Sequence, residues 1–548
     1  MGPWPLRLMS RCLRSTMRLL PVRWGTQTGG PAAAGRVNEP PIGPPDMKSM
    51  ISLAIALAFL TGGLLVTPAL AQGEDAKKDP GLKDAEIKKL GKLLADLRAQ
   101  PKFPRTSREV KKKEKAQNAF STEIEKVRKS YGESDILSYV DSWSQIFQDV
   151  AAGKKAKNPA GKGRVKKESV SRKVSGRERG FEYGVYVPPS YNSKKRYPLI
   201  LALHTKGSTG SDYLKEVWIN KKRCPKTVYD QFIFVAPTIG ERTIGKNKKY
   251  QKRIEAFSRL HLQGVAWCLV DVLQKYNIDT DRMYLDGAGF GGETAAWLGT
   301  MQTKLFAGMA IRNAKPAASG NFSKPELLTN LKNQCAMLVI DRKDGVFADA
   351  DGQAELKRIE TVTQADQLPI EVKVLDALPD PKSKRLALGK QKVDPIHDAT
   401  PDIAKFFLTN KRNPHATELA YLTYDNRLFR QASWYIIDRA NANPADGSMA
   451  SVKATLDREN NVATFQTHNV ESFRVYLNDV LLDLDKPIKV VVNGKDVIEK
   501  KVDRSLDFLL DYNVQNSIDP ALVMVGVLRV NVPSEDEKKD GDQKDKDE

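Results

Sequence analysis

The sequence predicts an α/β protein in three parts: a mostly parallel sheet covered by helices, a helical extension before it and an all-β module after it. Three observations predict this order. From about residue 164 to 412, short apolar runs alternate with helix-length amphipathic stretches. Between about residues 85 and 163 apolar residues recur at helical spacing, and beyond Pro414 a period of two takes over. At 548 residues, with 41% hydrophobic and 28% charged residues, the chain exceeds one ordinary domain and has a globular composition with polar excess.

The longest apolar run, Met50 to Leu70, follows Met47-Lys48 and closes on Ala69-Leu70-Ala71. A basic start, an apolar stretch and an A-x-A site predict a secretory signal peptide over 47–71, cleaved after Ala71; an uncleaved anchor helix is the alternative. Residues 1–46 are rich in Arg, Pro and Gly and would bury that signal in the interior. Translation starting at Met47 resolves this, a transit peptide being the other reading. The expected location is therefore secreted or periplasmic. Only Cys224, Cys268 and Cys335 remain beyond the presequence, an odd and widely spaced set that makes neither a disulfide framework nor a zinc site.

The formal net charge is +21. Residues 72–180 alone hold 28 basic and 16 acidic residues, so most of the surplus lies in the basic helical extension and linker, 72–163, and just after it. Such a surplus suits an anionic polymer or an envelope surface. It equally suits a solvated helical face, and no aromatic residues interleave with the basic runs as single-stranded nucleic acid would require, so no specific nucleic-acid partner is expected. Ile87, Leu90, Leu94 and Leu97 mark a first helix, ended by Pro101 and Pro104; Ser107 to Tyr131 reads as a second, highly charged one. A third follows Gly132, with Ser134 as its N-cap and Ile136, Val140, Trp143, Phe147 and Val150 at spacings of four and three. Gly153 to Gly163 reads as a linker.

Within 164–412 the expected strands include Leu199 to His204, Phe232 to Ala236, Met283 to Leu285, Gly308 to Ile311 and Ala336 to Asp341. The expected helices lie near Leu260 to Tyr276, Glu293 to Thr300, Lys324 to Lys332, Asp351 to Ala365 and Pro401 to Leu408. One junction stands out. Leu285-Asp286-Gly287-Ala288-Gly289-Phe290-Gly291-Gly292 passes from a buried strand through glycines into a helix, the layout of a G-x-S-x-G nucleophile elbow. The serine position is Gly289, which has no atom to attack with. Asp286 lies three residues too early to serve as an aspartate nucleophile.

From 413 to 533 alternating strands are separated by turns at Asn460-Asn461, Asn478-Asp479 and Asn493-Gly494, which predicts a small β-sandwich. The tail 534–548 is almost wholly charged and is expected to be disordered.

Tyr186-Val187-Pro188-Pro189-Ser190-Tyr191, Tyr197 to His204 and Tyr276 to Leu285 resemble secreted esterases of the poly(3-hydroxybutyrate) depolymerase and feruloyl esterase group, in the α/β-hydrolase superfamily, over roughly Gly180 to Leu408. Val475 to Asp479 and Val490 to Gly494 resemble C-terminal modules of large planctomycete hydrolase-like proteins. The resemblance implies an α/β-hydrolase fold, with Asp344 as the triad acid, His397 as the general base before the last helix, and an oxyanion loop and pocket at His204, Thr205, Lys206, Gly207 and Phe290. It also implies a nucleophile, and Gly289 departs from it. The loop departs too, reading His-Thr-Lys-Gly where glycines are usual. Each residue has a plain reading as well: His397 as loop polarity, Asp344 as a turn cap, His204 as support for the loop, and Gly289 as relief of a strained turn.

Three functions follow: a binding or scaffolding pseudoenzyme, a carboxylic ester hydrolase in which a His397–Asp344 dyad activates water, or a structural envelope protein. The ligand would be a small ester or a polysaccharide-linked group. No cofactor motif and no metal site are expected, since the glycine-rich junction lacks the Lys-Ser/Thr of a phosphate loop and the setting of a dinucleotide fingerprint.

Overall fold

The computed structural model describes residues 81–533 apart from 154, 175–176, 206, 239–258, 316–324, 342–344, 376–394, 426–428, 444–446 and 517–518. The presequence 1–46, the expected signal 47–71, the charged tail, Asp344 and Lys206 lie outside the described residues.

Three helices come first: α1 (Asp84–Ala99), α2 (Ser107–Tyr131) and α3 (Val140–Ala152). Their boundaries follow local chemistry. Thr106 and Glu109 form a reciprocal capping box at α2, and Gly132 ends it at φ 63°. The turn into α3 departs from expectation, because Asp135 rather than Ser134 supplies the cap: its carboxylate accepts from Leu137 N at 3.0 Å, closing the 3-10 turn Ile136–Ser138 before α3 begins.

The central sheet has eight strands in the order β1-β2-β4-β3-β5-β6-β7-β8. These are β1 (Lys166–Val174), β2 (Arg177–Tyr186), β3 (Tyr197–Leu203), β4 (Ile233–Pro237), β5 (Ile278–Ala288), β6 (Gly308–Arg312), β7 (Cys335–Asp341) and β8 (Ile370–Leu375). Only β2 runs against the rest. Every residue of β3, β4 and β6 is buried, as strands covered on both faces require. One face packs on α5 (Arg259–Lys275), α6 (Phe290–Met301) and α7 (Ala350–Asp366), through Val265, Leu269, Ala296 and Ile359 among others. The other packs on α4 (Gly210–Tyr213), the π turn Leu214–Trp218 that continues it, and α8 (Thr400–Thr409), through Tyr213, Trp218, Ile403 and Phe407. This is an α/β-hydrolase type of arrangement, with the β5-to-α6 turn at the carboxyl end of a central strand. The expected helix near Lys324 to Lys332 is instead a 3-10 stretch, Pro325–Asn333.

With β9 at Glu418–Thr423 and β10 at Tyr435–Ala440, the C-terminal part holds a five-stranded sheet, β15-β14-β12-β11-β9, and a three-stranded one, β10-β13-β16. β11 (Ala450–Asp457) alternates buried and outward residues, and the rings of Phe465 on β12 (Val462–His468) and Phe473 on β13 (Val470–Leu477) meet at 4.7 Å between the sheets. The Asn493-Gly494 turn between β14 (Ile488–Val492) and β15 (Lys495–Lys500) has φ of 51° and 80°, the doubly left-handed turn that an Asn-Gly pair allows. The part is not all-β. A helix, α9 (Leu506–Gln515), precedes β16 (Gly526–Asn531), and its Leu509 and Tyr512 fill the core. The sequence predicts only strands over 413–533, and Asp507, Asp511 and Asn513 interrupt the apolar spacing of this helix.

The helical extension does not keep a core to itself. Leu90, Leu94, Phe120, Ile124, Trp143, Ile146 and Phe147 belong to one continuous apolar cluster with Trp434, Phe465, Phe473, Leu482 and Val523 of the C-terminal part. Arg98 donates to Asn513 Oδ1 at 3.0 Å across this contact. A buried knot fixes the sheet to the C-terminal part: Arg412 reaches Asp281 Oδ1 at 2.6 Å and Asp519 Oδ2 at 2.6 Å, and Thr280 donates to Asp519 at 2.9 Å.

Candidate functional site

The turn between β5 and α6 is built by its glycines. A Cβ at Gly287 would lie 2.2 Å from Gly291 O, and one at Gly291 would lie 2.1 Å from Leu203 O, so both positions exclude any side chain. Gly289 differs. Its φ of 50° and ψ of −120° fall in a region that costs an L-residue about 1–3 kcal/mol, yet a Cβ there would meet nothing nearer than Thr205 Cγ2 at 3.9 Å. The elbow therefore keeps its backbone conformation and the room for a side chain, and carries none.

Around Gly289 stand three of the residues expected from the sequence. Thr205 flanks it as described. His204, at the end of β3, is buried, and its Nδ1 lies 2.7 Å from Thr205 O. Burial pushes the His204 imidazole below its ordinary value, with the bond to Thr205 opposing. Phe290 opens α6 and sets its ring edge-on to His261 at 5.1 Å between centroids. Gly207 takes φ 83° with open space around it, so the loop turns there as a glycine permits.

His261, on α5, was not singled out in the sequence. It is 1% exposed, its Nε2 lies 3.4 Å from Thr294 Oγ1, and burial, with His204 nearby, pushes its pKa down to about 3. Of the chain's five histidines, His204 and His261 thus flank the elbow as neutral rings.

His397 sits in the 3-10 turn Pro395–Ala399 before α8, as expected, but it is buried among other partners. Its ring meets Tyr213 edge-on at 5.6 Å, and its Nδ1 is buried with no hydrogen-bond partner among the described residues. Burial, then the charges of Arg312 and Arg223, hold its pKa well below the ordinary histidine value. It is neutral at pH 7.

What lies between His397 and the elbow is an ion pair that sequence reading missed. Arg312, ending β6, and Asp286, on β5, are both 0% exposed, and Arg312 Nε donates to Asp286 Oδ1 at 2.7 Å. The other carboxylate oxygen accepts from Tyr213 Oη at 2.9 Å and Trp218 Nε1 at 2.8 Å. Arg312 Nη1 donates to Thr400 Oγ1 at 2.9 Å and reaches Ile396 O at 3.5 Å, while its own carbonyl accepts from Gly289 N at 2.9 Å. Burial works to lower the guanidinium's pKa, and Asp286 and Tyr213 outweigh it, so the charge is retained. One residue thus ties the elbow's backbone to the loop that carries His397. The signal was a pair of opposite charges ending two adjacent apolar strands; the expected strand stopped at Ile311, one residue short.

Asp344 and Lys206 lie outside the described residues, so the acid and the middle of the oxyanion loop have no place in this geometry. Among the described residues no group of three or more His, Cys, Asp or Glu is placed to hold a metal ion, and Cys224, Cys268 and Cys335 are all free thiols. Two recesses lie away from the elbow. A small one of about 30 Å³ is lined by Lys155, Arg196, Asn277 and Thr280, and a larger one of about 420 Å³ by Lys332, Asp366, Glu418, Lys453 and Gln466.

No protein-family model matches the chain, and no curated protein matches it in sequence. Solved structures do. A ferulic acid esterase matches at 15% identity, covering 44% of this chain and 97% of its own, with a TM-score of 0.34. A ferulic acid esterase from Anaeromyces mucronatus matches at 16%, covering 45% and 90%, at 0.31. An S-formylglutathione hydrolase from Agrobacterium tumefaciens matches at 13%, covering 46% and 97%, at 0.33. Each likeness spans less than half of this chain.

Proposed function

We propose that this protein is an esterase-type α/β-hydrolase-fold chain that has lost serine catalysis and acts outside the cytoplasm as a binding or scaffolding pseudoenzyme. The observation that carries the reading is Gly289: the costly elbow conformation is retained, the space above it is open, and no nucleophilic atom occupies it. Arg312 is consistent with the reading, because the Nε and Nη1 of its fully buried guanidinium bond Asp286 and the loop around His397.

The competing reading is hydrolysis by His397 with Asp344, activating water directly. The neutral state of His397 favours that reading, because a general base must be unprotonated. Removal of the serine from a triad leaves only a residual rate through binding and the oxyanion hole.

The deciding experiment uses the chain from Gln72 onward with short-chain p-nitrophenyl esters and a fluorophosphonate probe, beside His397→Ala. No adduct and a rate equal to that of His397→Ala support the pseudoenzyme. A phosphonyl adduct on the unaltered chain would overturn it, and a rate that disappears in His397→Ala would establish the dyad.

A further inference from the structure

Helix α2 is unusual in how it is held. Its second half is anchored by Phe120, Glu123, Ile124 and Val127, but no residue from Ser107 to Ala119 is buried. Along about 20 Å of helix ten of these thirteen residues are exposed, and only Glu109, Lys113 and Ala116, on one face, are half-buried. A helix segment without an apolar face gains little from packing, and its charged faces stay open to a partner outside the chain.

Two independent features identify that partner. The first is charge. From Pro101 to Phe120 the chain carries Lys102, Arg105, Arg108, Lys111, Lys112, Lys113 and Lys115 against only Glu109 and Glu114. The Glu109 carboxylate is engaged locally, accepting from Arg105 N at 2.6 Å and Thr106 N at 3.3 Å.

The second is Phe103. It lies in the turn before α2 and is 76% exposed, the most exposed large hydrophobic residue described. A lone apolar side chain on a surface is ordinary. This one is braced outward. Lys113 Nζ donates to Lys102 O at 2.8 Å, the capping box fixes the next turn, Pro101 and Pro104 flank the ring, and the Lys102 ammonium lies 5.6 Å from its centre.

We propose that this turn and the first half of α2 form a docking surface for an anionic lipid bilayer, with Phe103 entering the interface and the surrounding Lys and Arg meeting the headgroups. A soluble anionic polymer would need the charges alone. A bilayer uses both the charges and an apolar residue at their edge. The inference is independent of the elbow's chemistry.

The test is flotation of the chain from Gln72 onward, which keeps every described residue, with vesicles of phosphatidylcholine with and without phosphatidylglycerol. Binding is expected only with phosphatidylglycerol. Each basic residue near such a surface contributes about a factor of five, so Lys111→Gln, Lys112→Gln and Lys115→Gln together should weaken binding on the order of a hundred-fold. Phe103→Ser should weaken it about ten-fold while leaving retention on heparin unchanged. None of these positions is buried, so melting temperatures should match. Absence of binding, or binding indifferent to the lysines, overturns the proposal. Binding that loses strength with the lysines but not with Phe103 overturns the entry of Phe103 into the interface and leaves an attraction by charge alone, which any anionic polymer would share.

Discussion

Arg312 and Asp286 form an ion pair 2.7 Å long with no solvent contact on either side chain, directly below the backbone of Gly289. Each partner's remaining bonds are to buried groups, so neither charge has water to fall back on. Asp286→Ala should therefore cost about 3–5 kcal/mol by leaving a buried guanidinium uncompensated. Asp286→Leu with Arg312→Met should cost much less. Urea unfolding of the single and double variants measures the difference.

The glycines of the elbow should separate by cause. Gly287→Ala drives a Cβ to 2.2 Å from a backbone oxygen that cannot move without α6. Gly289→Ala meets no neighbour closely and carries only the backbone penalty, about 1–3 kcal/mol. Thermal unfolding should rank Gly287→Ala well below Gly289→Ala, and equal values would contradict the geometry.

Acid should destabilise the fold through its buried histidines. His261 titrates near 3 when folded and about 6.5 when unfolded, so across that window the unfolded chain binds more protons. Stability then rises with pH through the window, and falls by about 1.4 kcal/mol per pH unit for this residue as the pH drops below 6.5. His397, shifted the same way, adds to the slope. His261→Phe should flatten the pH dependence of urea midpoints between pH 6 and pH 4, roughly the interval in which the two pKa values differ. An unchanged slope would count against a neutral, buried His261.

Arg412 should resist even conservative replacement. Its guanidinium contacts two carboxylates from different parts of the chain and the carbonyl of Lys304. Lysine offers one compact charge in place of a planar fork, so Arg412→Lys should lose at least about 2 kcal/mol and Arg412→Leu about 3–5 kcal/mol. Limited proteolysis near residue 412, faster in both variants, would report the loosened junction.

The sheet and its elbow were legible because they depend on near neighbours in sequence. An apolar run followed by Gly287, Gly289 and Gly291 predicts a strand, a tight turn and a helix, and the turn places its glycines as that spacing requires. The Asn493-Gly494 hairpin was legible for the same reason. The ion pair below the elbow was not, since Asp286 and Arg312 are 26 residues apart and each alone looks like a charge ending a strand. His261 was hidden differently: a polar residue on an amphipathic helix gives no sign of which face meets the elbow. α9 was lost because acidic and amide residues masked a short helical period.

The shared core of α1–α3 and the C-terminal part has a consequence for synthesis. The apolar faces of Leu90, Trp143 and Phe147 leave the ribosome first, but the strands that cover them begin at Glu418. Elongation at about 5–20 residues per second leaves those faces waiting for roughly 15–50 s, while the whole central sheet is made. The nascent chain must carry that exposed surface until its far end arrives, and a chain stopped anywhere before residue 418 would carry it permanently.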